Sequence, residues 1–439
     1  MNEDSRSIVL FASVSHAIVH TYELSIPILV AIWLVEFPVT TATMGIVVSV
    51  GYGLFGVGSL PGGVLADRYG SRTLIVGGLV GMGLSFLLLS LAPGVATIAV
   101  ALAAWGIAAS VYHPSGLSLI SKGVDDRGSA FAYHGMAGNV GIAFGPLLTA
   151  LLLLRFDWRT VTGLLVIPTV VAVAYALTTE FDVAAVSTDG GGRSDPAEGG
   201  DHTDSAERGE RSGPVDGDGP KASIAAFLAD SRALFTLGFT LAMAVVMMNG
   251  LFYRGILTFL PEVLDRFLPP VTDYVQLFDP GSPMAEEFTL SSYVYVGLLT
   301  VGIAGQYAGG RLSDRVPPTT GLAIVFGGLA AVTVGFVPAT SGGVAALLLV
   351  SGLLGFLLFA LQPLYQAMIA DHSPPGDRGL SYGYTYLVSF GIGAAGAAVA
   401  GGLLAVVTAD VTFLALAAFP VLGGLFAVAL GRRVGAPAS

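Results

Sequence analysis

Apolar residues fall in long runs bounded by charge, proline and glycine, at about 7–36, 41–65, 73–91, 95–120, 129–154, 160–179, 232–260, 290–312, 319–338, 342–370, 379–406 and 410–431. A helix needs roughly 20 mainly apolar residues to cross about 30 Å of hydrocarbon, so the pattern predicts twelve membrane-spanning helices. Open sheets are excluded because lipid cannot satisfy a bare strand edge. The first run follows Met1-Asn-Glu-Asp-Ser-Arg-Ser7, which lacks a basic signal-peptide n-region. With no obvious small-residue cleavage site either, it is expected to remain as a span.

Two stretches interrupt the pattern. Residues 180–222, including Ser187-Thr-Asp-Gly-Gly-Gly-Arg-Ser-Asp-Pro196, are Gly, Ser, Pro and acid with almost nothing to bury. They are expected to form a disordered linker between an N-terminal six-helix bundle over 1–179 and a C-terminal one over 223–439. A shorter polar loop at about 261–289 carries Pro261, Pro269, Pro270, Asp273, Asp279, Glu286 and Glu287. The halves also repeat. Gly63-Val-Leu-Ala-Asp-Arg68 recurs as Gly310-Arg-Leu-Ser-Asp-Arg315, Pro114 matches Pro363, and Asp126-Arg-Gly128 matches Asp377-Arg-Gly379. These offsets of 247, 249 and 251 residues predict a duplicated six-helix unit, with a central binding site between parallel repeats.

Composition agrees with the pattern and narrows the function. The 439 residues are 54% hydrophobic and 11% charged, where soluble domains carry about 25% charge. A net charge of −11 argues against nucleic acid as a partner. The absence of cysteine removes disulfides, thiolate metal sites, iron–sulfur clusters and Cys nucleophiles together. Two Lys stand against 17 Arg, and acid crowds the loops, so composition points to a halophilic source, which is expected to be archaeal. Fifteen Lys and Arg fall on the side of the N-terminus and three, Arg155, Arg159 and Arg266, on the other, with Arg254 inside a span. The positive-inside rule therefore predicts both termini in the cytoplasm and a multi-pass protein of the plasma membrane.

The segment Gly63-Val-Leu-Ala-Asp-Arg-Tyr-Gly-Ser-Arg72 resembles the cytoplasmic loop signature of the major facilitator superfamily, and Gly310–Arg315 resembles its degraded second copy. Val111-Tyr-His-Pro-Ser-Gly116, Asp126-Arg-Gly-Ser-Ala130 and Gly138-Asn-Val-Gly-Ile-Ala-Phe-Gly-Pro146 are similar to fosmidomycin-resistance-type drug exporters, and Gly141-x-x-x-Gly145-Pro146 to the core of the fifth-span antiporter motif. The resemblance implies an all-α fold of two six-helix pseudo-repeats. It also implies gating for Gly63, Asp67, Arg68, Gly70, Arg72, Arg127, Gly141, Gly145, Pro146, Asp314, Arg315 and Arg378.

The site chemistry can be read from the residues themselves. His16, His20 and Glu23 lie at i, i+4 and i+7, hence on one helical face near mid-membrane, where ionisable groups are costly without a partner or a wet cavity. They are expected to form a proton or substrate site, with Glu23 the proton carrier because burial favours a neutral carboxyl; an interhelical hydrogen-bond cluster is the alternative. His-x-x-x-His-x-x-Glu also presents three ligand types, but no fourth ligand or defined outer shell is legible, and no metal or cofactor is expected. Arg254, in the span equivalent to the first, either pairs with Glu23, competes with it for an anionic substrate, or snorkels to the interface. Tyr112, His113 beside Pro114, His134, Asn139, Gln362 beside Pro363, and Gln366 supply further polar groups. Tyr382, Tyr384 and Tyr386 are weaker candidates for an aromatic wall. Gly51-Tyr-Gly-Leu-Phe-Gly56 fits a dinucleotide pattern but lies in an apolar helix with no βαβ unit, and so signals helix packing.

The expected function is secondary active transport by alternating access, with proton-coupled efflux of small organic, drug-like and anionic compounds. No phosphate-binding loop is present to drive a pump with ATP, and no catalytic constellation marks an enzyme. The partners expected are a small-molecule substrate, a proton (sodium being the alternative coupling ion) and the bilayer, with the protein a monomer. An importer of the same fold is the nearest rival and a transport-inactive sensor the more distant one.

Overall fold

A computed structural model describes residues 3–124, 127–178, 229, 231–268, 289–373 and 378–434. The proposed linker at 180–222 and most of the loop at 261–289 lie outside the described residues. The described chain is helical, and eleven of its helical stretches are long and apolar enough to cross a membrane. The twelfth, Leu290–Ser313, is the eighth in order and more polar, carrying Tyr293, Tyr295, Gln306 and Tyr307. Part of that polarity is spent inside the protein, where Gln306 Nε2 donates to Gln362 Oε1 at 2.9 Å and the Tyr295 ring is fully buried, while Tyr307 faces outward.

Prolines punctuate three spans in the same way. The fourth is Val95–Ser110 followed by Tyr112–Gly123, the sixth Trp158–Leu164 followed by Val166–Thr178, and the twelfth Ala409–Leu416 followed by Ala418–Val434. Each break falls three residues before a proline, Pro114, Pro168 or Pro420, whose ring displaces the carbonyl one turn earlier. The Ser110 carbonyl freed by Pro114 accepts from Ser59 Oγ at 3.2 Å, so the kink is held by the neighbouring span. Pro168 and Pro420 stand 252 residues apart, a fourth echo of the duplication.

Helix pairing repeats in the two halves. The first span packs on the fifth, the second on the fourth, and the third on the fourth and sixth; the seventh likewise packs on the eleventh, the eighth on the tenth, and the ninth on the tenth and twelfth. The halves meet through the second and eleventh spans, the fifth and eighth, and the first and seventh. These contacts map onto one another under exchange of halves, as expected for an axis along the membrane normal. The first and seventh spans are the most enclosed, while Val80, Leu84 and Leu87, Val170 and Val171, Ile324, and Leu422 and Leu425 on the third, sixth, ninth and twelfth spans face outward. Such an apolar exterior is what lipid requires.

The halves are closed on the side away from the termini. Thr41 Oγ1 donates to the Gly401 carbonyl at 2.9 Å, Ser49 Oγ donates to the Ala394 carbonyl at 2.7 Å, and the Ala398 amide donates to Ser49 Oγ at 2.9 Å. On the opposite pair of helices the Tyr293 hydroxyl faces the Ala150 carbonyl at 3.5 Å. At the same end of the first span, Glu36 accepts from Trp158 Nε1 and from Arg159 Nη1, the latter at 2.8 Å, with the guanidinium 4.3 Å from the Trp158 ring. Because the native chain has no cysteine, the closed face can be trapped without background. A Ser49→Cys/Ala398→Cys protein is expected to cross-link under mild oxidation and to lose transport until reduced. Absence of the cross-link in membranes would mean that this closed face is not populated there.

Candidate functional site

The first span, Glu3–Glu36, is buried on several sides, so its polar groups must find partners inside the protein. Tyr22 turns toward the sixth span, its hydroxyl donating to the Leu165 carbonyl at 3.1 Å and lying 2.6 Å from Thr169 Oγ1. That anchor points the adjacent Glu23 toward the second half, where its Oε1 pairs with Arg254 Nη2 from the seventh span. Both side chains are almost fully buried, and the pair bridges the two halves.

Arg254 is held from another direction as well. Its guanidinium carbon lies 3.7 Å from the centre of the Tyr52 ring, whose hydroxyl donates to the Glu23 carbonyl at 3.0 Å. A cation stacked on an aromatic face and paired with a carboxylate is strongly fixed once water is excluded. Its Nε is buried without a partner, leaving hydrogen-bonding capacity at the centre of the protein.

A chain of imidazoles extends from the other Glu23 oxygen. Oε2 lies 2.6 Å from His20 Nδ1, His20 Nε2 lies 3.0 Å from His16 Nε2, and His16 Nδ1 lies 2.8 Å from the His134 carbonyl. A carbonyl only accepts, so His16 Nδ1 carries a hydrogen. With Glu23 ionised against Arg254, His20 Nδ1 carries one too. With both rings neutral the two Nε2 atoms face each other as lone pairs, so an attractive contact at 3.0 Å needs a second proton on one ring, making an N–H···N hydrogen bond, or another cation between them.

The same pocket gathers the fourth, fifth and eleventh spans. The His134 ring stacks on His16 with centroids 4.0 Å apart, and its Nε2 lies 3.1 Å from the Tyr112 hydroxyl, which donates to the Ala12 carbonyl. His113 is covered by Tyr386 at 5.1 Å, Phe390 at 5.8 Å and Phe55 at 5.6 Å. Gly138, Gly141 and Gly145 let the fifth span approach the first. A Cβ on Gly141 would lie 2.2 Å from the Ala17 carbonyl oxygen, and one on Gly145 2.4 Å from Thr21 Cα.

Seven of the candidate residues therefore converge: His16, His20, Glu23, Tyr112, His113, His134 and Arg254. Gln362 does not join them, being bonded to Gln306, and Gln366 is exposed; Asn139 is half-buried on the fifth span. Sequence reasoning missed Tyr52 and Phe390 and gave Tyr386 little weight. Tyr52 lies inside the glycine-rich stretch of the second span, where the small neighbours that admit close packing were the only available hint.

The charges at the end that carries the termini take no part in this cluster. Arg72 Nη2 donates to the Ala176 carbonyl within its own half, Arg68 lies over Tyr69, and Asp314 and Arg315 are exposed. Gly70 has φ of 85°, a left-handed conformation that joins the second and third spans in a tight turn. The side chains of Asp67, Arg127 and Arg378 lie outside the described residues.

A family model described as Major Facilitator Superfamily matches residues 9–398 and, in a second alignment, 288–438. The chain belongs to the major facilitator superfamily. Its two bundles meet around the buried Glu23–Arg254 pair. The chain is 37% identical over 108 residues to the puromycin resistance protein pur8 of Streptomyces alboniger, a match covering 24% of this chain and 22% of that protein. It is 27% identical over 136 residues to a Na⁺, Li⁺, K⁺/H⁺ antiporter of Planococcus maritimus, covering 29% and 32%. The matched region thus spans less than a third of each of these relatives. Among solved structures, a bacterial homologue of the human lysosomal transporter Spinster, inward-facing and unoccupied, superposes with a TM-score of 0.69 at 15% identity over 98% of both chains. The inward-open xylose transporter XylE of E. coli gives 0.68 at 14% identity, covering 97% of this chain and 95% of that one.

Proposed function

We propose that this superfamily member is a proton-coupled transporter of small organic anions, working by alternating access, with Arg254 as the anion site and Glu23 as the proton site. The observation that carries the reading is the buried Glu23–Arg254 pair joining the first and seventh spans across the halves. A carboxylate or phosphonate entering the cavity competes with Glu23 for the guanidinium, and the displaced Glu23 carboxylate is left buried with only His20 as a partner. With the termini in the cytoplasm of a plasma-membrane protein, the closed face is the outer one and the cavity is offered to the cytoplasm. The Arg-rich, acidic loops fit a halophilic archaeal source, and residues 180–222 would tether bundles over 1–179 and 223–439.

Export is supported by the similarity to fosmidomycin-resistance-type exporters and by the puromycin-resistance relative. The ion pair itself favours a second reading, cotransport. An anion on Arg254 leaves Glu23 uncompensated and so promotes proton binding, which makes the two ligands travel together.

Reconstituted vesicles with a trapped pH indicator test the site and the coupling. A panel of phosphonate and carboxylate compounds is expected to move protons in the wild type and to move none in Glu23→Gln or Arg254→Ala. Protons moving against the substrate support exchange-driven export, whereas protons moving with it support cotransport. Unimpaired transport by both variants would remove the pair from the mechanism.

A further inference from the structure

The histidine cluster offers a chemistry that proton coupling does not use. One ring nitrogen each from His16, His20 and His113 lies within 4.8 Å of the other two. Nε2 of His113, on a side chain only 5% exposed, is buried without any hydrogen-bond partner. The first span supplies two imidazoles, and the kinked fourth span brings the third, which could not be read from spacing alone.

We propose that His16, His20 and His113 bind a late first-row divalent metal ion, with zinc as the reference case, through three imidazole nitrogens and an open fourth position. The rings are spaced for it. With nitrogen about 2.1 Å from a zinc ion and each ring centre about 1.1 Å behind it, three tetrahedrally placed imidazoles have centres about 5.2 Å apart. The observed centroid separations are 4.7 Å for His16–His20, 5.3 Å for His16–His113 and 5.6 Å for His20–His113.

The outer shell is also in place. Metal-bound histidines donate their second ring N–H to a carboxylate or a carbonyl, which fixes the tautomer. His20 Nδ1 faces the Glu23 carboxylate and His16 Nδ1 faces the His134 carbonyl, so Nε2 of both rings is the free lone pair, and these two atoms meet at 3.0 Å. Where neither Nε2 carries a proton, a bridging metal ion takes both lone pairs as ligands. Three imidazoles without a carboxylate cage select zinc, nickel or copper over magnesium or calcium. Glu23 and Arg254 neutralise each other, so the two charges of the ion call for an anionic oxygen at the fourth position. His113 is stacked by Tyr386 and Phe390 of the other half, so a rearrangement that moves the eleventh span acts on one ligand of the three.

This inference stands apart from the transport reading because the binding is measured directly. Full-length protein in detergent, free of any histidine tag, would be titrated with Co²⁺ while visible absorption is recorded, then challenged with Zn²⁺. One Co²⁺ per chain is expected, with bands of a nitrogen-bound low-coordinate ion that Zn²⁺ abolishes. His113→Ala is expected to weaken binding at least about tenfold, and Glu23→Gln about 10- to 100-fold by loosening the outer shell. His372→Ala, far along the tenth span, is expected to change nothing. X-ray absorption at the zinc edge of the wild type, which needs no variant to fold, should report three imidazoles. Binding no tighter than in a His16→Ala/His20→Ala/His113→Ala protein, or a zinc edge with fewer than two imidazoles, would overturn the proposal.

Discussion

Arg254→Ala is expected to destabilise the protein by about 3–5 kcal/mol and to abolish anion-dependent transport. The substitution leaves the Glu23 carboxylate buried inside the protein without its cation, and an unpartnered buried charge costs about that much. It also strips the cation from the face of Tyr52, 3.7 Å away, and opens a void among Tyr52, Tyr253 and Phe390. Arg254→Lys keeps the charge but not the flat fork that lies on the ring while reaching Glu23, so an intermediate loss is expected. The informative variant is Glu23→Gln/Arg254→Ala. Removing both charges ends the mismatch, so it should recover at least about 2 kcal/mol relative to Arg254→Ala, because replacing a whole buried pair is close to neutral. Transport should not return with it. Chemical unfolding in one fixed detergent measures the first effect and vesicle uptake the second. A double variant no more stable than Arg254→Ala would show that the two side chains do not act on each other.

The pattern of apolar runs carries the twelve spans because a bilayer imposes length and apolarity on each segment independently of its neighbours. Leu290–Ser313 is the instructive case. It is the most polar of the twelve apolar runs, legible at 290–312 by its bounding residues, and its Gln306 turns out to bond Gln362 of the tenth span. The i, i+4, i+7 spacing of His16, His20 and Glu23 sufficed to put them on one face, since that is a property of the helix alone. Their partners were not legible to the same degree. That Arg254 turns inward to Glu23 rather than outward to the interface depends on Tyr52, a residue of another span that no local pattern links to it. His113 joins the cluster because Pro114 breaks the fourth helix at Val111 and redirects its second segment. The equivalence of Pro114 and Pro363 also suggested a matching role for Gln362. The tenth span is continuous through Pro363, however, and Gln362 faces the eighth span instead. Repeat symmetry conserves helix placement more strictly than side-chain chemistry.

Gly56→Leu is expected to reduce transport by more than tenfold while leaving each six-helix bundle folded. Gly56 meets Gly391 where the second span crosses the eleventh, and a Cβ on Gly56 would lie 1.9 Å from the Gly391 amide nitrogen and 2.3 Å from its Cα. The obstruction is backbone, so no rotamer change relieves it; the two helices must separate by an ångström or more. Separation breaks the hydrogen bonds of Ser49 Oγ, donated to the Ala394 carbonyl and accepted from the Ala398 amide two turns away, and removes Phe390 from its stack on His113. The penalty is expected to fall on the state closed on this face, in which Gly56 packs against the opposite half. Penalising one of two states by about 3 kcal/mol shifts their ratio by more than a hundredfold, and a cycle that must visit both is slowed accordingly. Gly391→Ala should do less, since the nearest neighbour of its Cβ is the Leu387 side chain at 3.2 Å, with Gly56 backbone at 3.5 Å. Cross-linking of the Ser49→Cys/Ala398→Cys pair reads the population directly. The added Gly56→Leu change should suppress the cross-link in membranes, with thermal unfolding of the protein nearly unchanged. A cross-link that forms as readily as in the parent would mean that the second and eleventh spans do not need this contact in order to close.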